Sequence, residues 1–166
     1  DMTYVKYKEQ VFKVSSDIIS FANDSSYNIV SKLQALVDIS EVKSVTVEYN
    51  GAEHTIDITH NDSDMTFVLD GQKVDTKITQ AIYKSIVGLA VDGVYKDETL
   101  GDTVMKIKYK GIKSSSDTEI EFKSIDDLYC ALIRNGKTEF TIKKSKLNEF
   151  MDLFNTYVEN PEKQGD

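Results

Sequence analysis

Two stretches decide the fold: Ser44-Val-Thr-Val-Glu-Tyr-Asn-Gly51 and Val104-Met-Lys-Ile-Lys-Tyr-Lys-Gly111. Both alternate apolar and polar residues, and both place a tyrosine two positions before a glycine. A strand has a side-chain period of two, so Val45, Val47 and Tyr49 share one face. In the second stretch Met105, Ile107 and Tyr109 share the core face, and Lys106, Lys108 and Lys110 share the other. A second alternating run follows each, His54 to His60 and Glu119 to Lys123. A third run then ends in a turn, Thr66-Phe-Val-Leu-Asp-Gly71 and Ala131-Leu-Ile-Arg-Asn-Gly136. Asp-Gly and Asn-Gly mark two-residue hairpins, because a type I′ turn needs positive φ at both central positions. A short polar strand and a helix complete each unit, which recurs after about 60–65 residues.

The first helix is expected from Thr76 to Ala90, with Asp75 as N-cap and Ile78, Ile82, Ile86 and Leu89 on one face. The second is expected from Ser145 to Val158, with Ser145 as cap. Leu147, Phe150, Met151, Phe154 and Val158 form its apolar stripe. Asp92-Gly93 and Asn160-Pro161 read as stops. Ile120 and Phe122 point inward and Glu119 and Glu121 outward, so facing Lys and Glu rows would pair across strands.

The N-terminal stretch reads as the tail of a further unit. Thr3 to Lys8 and Val11 to Val14 form a hairpin, Ser16-Asp17 caps a short helix from Ile18 to Ala22, and Tyr27 to Val37 is a further helix. The expected organisation is a unit tail over residues 1–40, a full ββββα unit over 41–100 and a second over 101–166. The fold class is α+β: tandem repeats of mostly antiparallel strands, each unit followed by a packing helix. Whether the two sheets join is left open. A chain opening Asp1-Met2 reads as a processed or excised piece of a longer protein, without a charged and apolar leader of its own.

Composition bounds the function. The chain of 166 residues carries 40% apolar and 29% charged residues with a net charge of -8. Nucleic acid and anionic lipid surfaces require clustered cations, so neither is an expected partner. Arg134 is the sole arginine, which argues against bidentate phosphate or guanine recognition. The longest apolar run, Ile86 to Val91, falls far short of the ~20 residues of a membrane span.

The residues that could carry chemistry are few. Cys130 lies within an expected strand, with Leu128 and Leu132 on its own face, and reads as a small buried hydrophobe. His54 and His60 stand at opposite ends of one strand, ~20 Å apart, too far for one metal ion. They read as solvated strand ends. Asn61-Asp62-Ser63-Asp64 lacks the glycine of a calcium loop and has Lys73 where the bidentate Glu should be, so it reads as a polar hairpin loop. Asp97-Glu98, with Asp102 nearby, reads as a charged connection. Tyr49 and Tyr109 read as core residues. No phosphate loop, nucleophile elbow or zinc signature occurs. Catalytic, cofactor-binding and metal residues are therefore expected to be none, and no cofactor is expected.

Several of these segments resemble a bacterial family catalogued as domain of unknown function 4340. The resemblance is carried by Thr3-Tyr-Val-Lys, Val11-Phe-Lys-Val-Ser-Ser16, Asp38-Ile-Ser-Glu-Val-Lys-Ser-Val-Thr-Val47, Val68-Leu-Asp-Gly-Gln-Lys-Val-Asp75 and Asn135-Gly-Lys-Thr-Glu-Phe-Thr-Ile142. It implies a membrane-anchored parent with a repetitive extracytoplasmic region, accompanying ABC-type transporters related to gliding-motility systems. It implies no catalytic residue. The expected function is a non-catalytic extracytoplasmic module, auxiliary to such a transporter, that binds a protein partner (transporter subunits) or an exported substrate. Membrane attachment would be through an anchor absent from this chain. The alternatives are a purely structural spacer and, more remotely, a metal-dependent hydrolase built on His54 or His60.

Overall fold

The computed structural model describes residues 2–16, 32–61 and 64–160. The chain falls into two compact units, Asp1–Ser31 and Lys32–Asp166. In the first, β1 (Met2–Tyr7) and β2 (Gln10–Ser15) form an antiparallel hairpin, with Thr3 opposite Val14 and Val5 opposite Phe12. Phe12 is 46% exposed. The short helix expected at Ile18–Ala22 lies outside the described residues.

The larger unit is built on one nine-stranded sheet. Its first half comprises β3 (Val42–Tyr49), β4 (Ala52–Asn61), β5 (Asp64–Leu69), β6 (Gln72–Val74) and helix α1 (Thr76–Val87). A two-residue strand, β7 (Gly93–Val94), follows. The second half comprises β8 (Thr103–Gly111), β9 (Thr118–Ser124), β10 (Tyr129–Arg134), β11 (Lys137–Lys143) and helix α2 (Lys144–Glu159). The strand order is β6-β5-β4-β3-β8-β9-β10-β11-β7, and the pairings among the described residues are antiparallel throughout. The fold is α+β, and the two expected sheets are one.

The halves meet through their own first strands. Val45 faces Tyr109, Val47 faces Ile107 and Tyr49 faces Met105. Val47 and Ile107 are equivalent positions of the repeat, and they sit opposite each other. The two halves are therefore related by an approximate two-fold axis through that pair.

Alternation decides the layers. The inward residues of both halves, from Ile56, Ile58, Phe67 and Leu69 to Ile120, Phe122, Leu132, Phe140 and Ile142, are all buried. Ile78, Ile82 and Ile86 of α1 and Leu147, Phe150, Met151 and Phe154 of α2 are buried with them. The opposite face carries Ser44, Thr46, Glu48, Lys106 and Lys108 and stays partly open to water.

Several expectations need correction. Helix α1 ends at Val87, three residues short of Ala90, and Leu89 is buried beyond its end. On α2 the last inward residue is Tyr157, with Val158 only half-buried. Ser145 does not cap α2; the cap position is Lys143, whose side chain makes no capping bond. Asp92 holds that helix start instead, accepting from Lys143 N at 2.9 Å and from Lys146 Nζ at 2.8 Å.

The helix expected to reach Val37 is also absent over its described part. Residues 32–37 form a bend, a turn and irregular chain. Their carbonyls are taken by tertiary donors: Lys32 by Val91 N, Gln34 by Arg134 Nη1 at 2.6 Å, Ala35 by the Tyr109 hydroxyl at 2.8 Å and Val37 by the Tyr83 hydroxyl. A helix ending at Val37 would leave its last four carbonyls, those of residues 34–37, without intrahelical donors, and tertiary groups meet three of those four here. Among the described residues no helix is long and apolar enough to cross a membrane.

Candidate functional site

A cleft of about 550 Å³ lies where α1 crosses β5. Its walls are Ile39, Met65, Phe67, Tyr83 and Val87. Each wall residue has a local cause. Phe67 is an inward position of β5 and is buried; Met65 lies two residues earlier on the same face, nearer the strand end, and is exposed. Tyr83 and Val87 lie one turn apart on α1. Tyr83 gives its hydroxyl to the Val37 carbonyl, so it presents only its ring to the cleft. Asp64 and Lys84 bring one charge of each sign to the lining.

Thr79 completes the cleft. The residue is 3% exposed, and its Oγ1 is a buried side-chain polar atom without a hydrogen-bond partner among the described residues. Helical threonines commonly donate to the carbonyl one turn back. Here the Asp75 carbonyl already receives the amides of Ile78 and Thr79. Thr79 also borders the apolar crevice between α1 and the sheet, beside Ile82 and Ile86. An unmade hydrogen bond at such a site costs about 1–3 kcal/mol.

The second half has no counterpart at this position. Aligning the helices on their observed caps, Asp75 and Lys143, sets Thr79 against Leu147, Ile82 against Phe150 and Ile86 against Phe154. The second half thus fills with leucine and phenylalanine the space where the first has threonine and isoleucines. Phe150 and Phe154 stack at 5.7 Å between ring centres.

The residues singled out in the sequence lie elsewhere. His54 Nδ1 sits 2.7 Å from Asp70 Oδ2, with its ring against Tyr49 and Phe154 at 5.9 and 5.8 Å. Tyr49 gives its hydroxyl to Asn155, and burial pushes its phenol pKa up, with Asp70 adding to the shift. His60 Nε2 is 2.7 Å from the Val42 carbonyl. Both histidines are therefore half-buried and partnered, not simply solvated strand ends. Among the described residues no group of three or more His, Cys, Asp or Glu could hold a metal ion.

Cys130 is fully buried, and burial pushes its thiol pKa up. Leu128 does not share its face as expected; it precedes β10 and is 68% exposed. Burial also drives the Tyr109 phenol upward. Asn61 pairs with Asp64 across the β4–β5 hairpin; Asp62 and Ser63 lie outside the described residues. Glu98 accepts from Lys96 N at 2.7 Å and from the Tyr95 hydroxyl, which makes that segment a self-bonded connection. Arg134 is spent on the Gln34 carbonyl.

The lysine row forms a charge ladder. Lys106 lies opposite Glu121 on one side and Glu48 on the other. Lys108 pairs diagonally with Glu48, which draws the carboxyl below its usual range. Lys110 meets Asp117 at 2.8 Å.

Thr79 was the residue missed. Its signal was a polar side chain beside Ile78, on the inward side of an otherwise apolar helix stripe. No family model, curated protein or solved structure matches this chain.

Proposed function

We propose that this chain is a non-catalytic extracytoplasmic binding module of a membrane-anchored bacterial protein, auxiliary to an ABC-type transport system. It engages an exported substrate or a protein of the transporter. The cleft of about 550 Å³ with the unpartnered Thr79 hydroxyl carries the binding part of this reading. Ligand sites are concave, mostly apolar and supplied with a few placed polar groups. A purely structural spacer would need neither the cleft nor an unpartnered hydroxyl on one of its lining residues. The transporter association rests on the resemblance in the N-terminal hairpin, the β3 region and the two turn-strand segments.

Deleting the parent gene tests the association. Export through the neighbouring transporter should fall, and expression of the parent with an intact cleft should restore it. Unchanged transport in the deletion strain would sink the proposal.

A further inference from the structure

We infer that the α1–β5 cleft binds an uncharged, largely apolar small molecule through one carbonyl group, which accepts a hydrogen bond from Thr79 Oγ1. The inference deepens the binding-module reading and rests on it. Four observations carry it. The volume, about 550 Å³, is that of a small-ligand site. The apolar walls are aliphatic, aromatic and thioether (Ile39, Val87, Phe67, Tyr83 and Met65), and Thr76 and Gln80 add polar side chains to the lining beside Thr79. Met65 is exposed and unbranched, so it can adapt to a guest.

The third observation is polarity. The Tyr83 hydroxyl is committed to Val37, so it offers no donor to a guest. Thr79 is buried and keeps its hydroxyl proton unassigned. A ligand that satisfied it would remove a cost the empty protein carries. The fourth is charge. Asp64 and Lys84 oppose each other in sign, so the lining gives neither an anion nor a cation an advantage. An ionised guest would also surrender its hydration to an apolar wall.

Two probes of similar size separate the parts of this inference: propiophenone, which carries the carbonyl, and n-propylbenzene, which does not. Titration of methyl-labelled protein followed by NMR reads the Ile39, Met65 and Val87 methyls directly. Propiophenone should bind about tenfold more tightly than propylbenzene, the worth of one hydrogen bond to a buried donor. Thr79→Val should bring the two probes to equal affinity, and Thr79→Ser should keep the preference. Melting of both variants checks that they fold. Equal binding of both probes to the native cleft would overturn the carbonyl assignment and leave the binding-module reading standing. Absence of shifts at all three methyls with either probe would overturn the cleft as a small-molecule site. Shifts elsewhere that depend on protein concentration would assign the face to a second copy of the chain and overturn it too.

Discussion

The two halves of the sheet begin alike and diverge at the same motif. Tyr49-Asn50-Gly51 turns at once: Asn50 has φ 51° and Gly51 φ 77°, and β4 starts at the next residue. Tyr109-Lys110-Gly111 does not turn, and the strand runs through its glycine. Gly111 is needed for space: a Cβ there would meet Lys113 O and Ser116 Cβ, each at 2.6 Å. One tripeptide pattern thus serves two physical ends, backbone handedness in one half and close approach in the other. The helices diverge in the same manner. The second half is filled by aromatic rings, and the first keeps a cleft. A repeat preserves the strands that must pair, while loops and helix faces are free to specialise.

The strongest test of that contrast is truncation under the two helices. Phe154→Ala should cost about 3–5 kcal/mol, the usual range for a buried ring. Ile86→Ala should cost about 2 kcal/mol, because the space it leaves adjoins an apolar crevice bordered by Thr79. Denaturant unfolding gives both values, and equal costs would mean the halves pack equally tightly. The glycines come next. Gly111→Ala should cost about 1–3 kcal/mol by steric conflict, and Gly51→Ala about 1 kcal/mol by forcing a side chain to positive φ. If Gly51 proved the costlier site, the two assigned roles would have to be exchanged.

Thr79→Val should instead stabilise the ligand-free protein by about 1 kcal/mol, since the shape is kept and the orphan hydroxyl is gone. A lower melting temperature would show that the hydroxyl has a partner. The helix starts separate the halves more finely. Asp75→Ala should cost about 1 kcal/mol, because its carboxylate accepts from Lys77 N at 2.7 Å. Asp92→Ala should cost a similar amount at α2, and Ser145→Ala close to nothing.

Smallest is the seam ladder. Lys108→Met should cost about 0.2–1 kcal/mol, less at high salt. The pH window follows from the shifts. Glu48 is drawn down by Lys108, so its contribution is present above the ordinary glutamate value of about 4.3 and fades as pH falls through its folded value. Lys108 is raised by Glu48, so its share is complete below the ordinary lysine value of about 10.4 and fades as pH rises through its folded value. The wild-type advantage over Lys108→Met should therefore span that interval and close at both ends.

Much of the fold was legible because it rests on local signals. Alternation placed the faces of β3, β8 and β9, and Asp70-Gly71 and Asn135-Gly136 gave their turns directly, with positive φ at all four positions. Asp75 announced its helix. What escaped notice depends on partners distant in sequence. Residues 32–37 cannot reveal in isolation that Tyr83, Tyr109, Arg134 and Val91 will claim their carbonyls. Nor can Ser145 show that Asp92 supersedes it. The cleft was hidden for a related reason. A cavity is volume left unfilled between elements, and a one-dimensional pattern reports only which side chains point inward. Thr79 was visible as an oddity, but its meaning depended on Met65 and Phe67 across from it.

The pairing of β3 with β8 has a consequence for synthesis. The central strands come from segments about 60 residues apart, whereas every hairpin around them is local. The first half can collect its hairpins and helix while the second is still being translated, yet β3 must wait with one backbone edge open. That edge fits a strand patterned like itself, so a neighbouring nascent chain offers the same match as the rest of its own. Closure in cis is favoured by the short tether, and crowded polysomes would be where exchange between chains first arises.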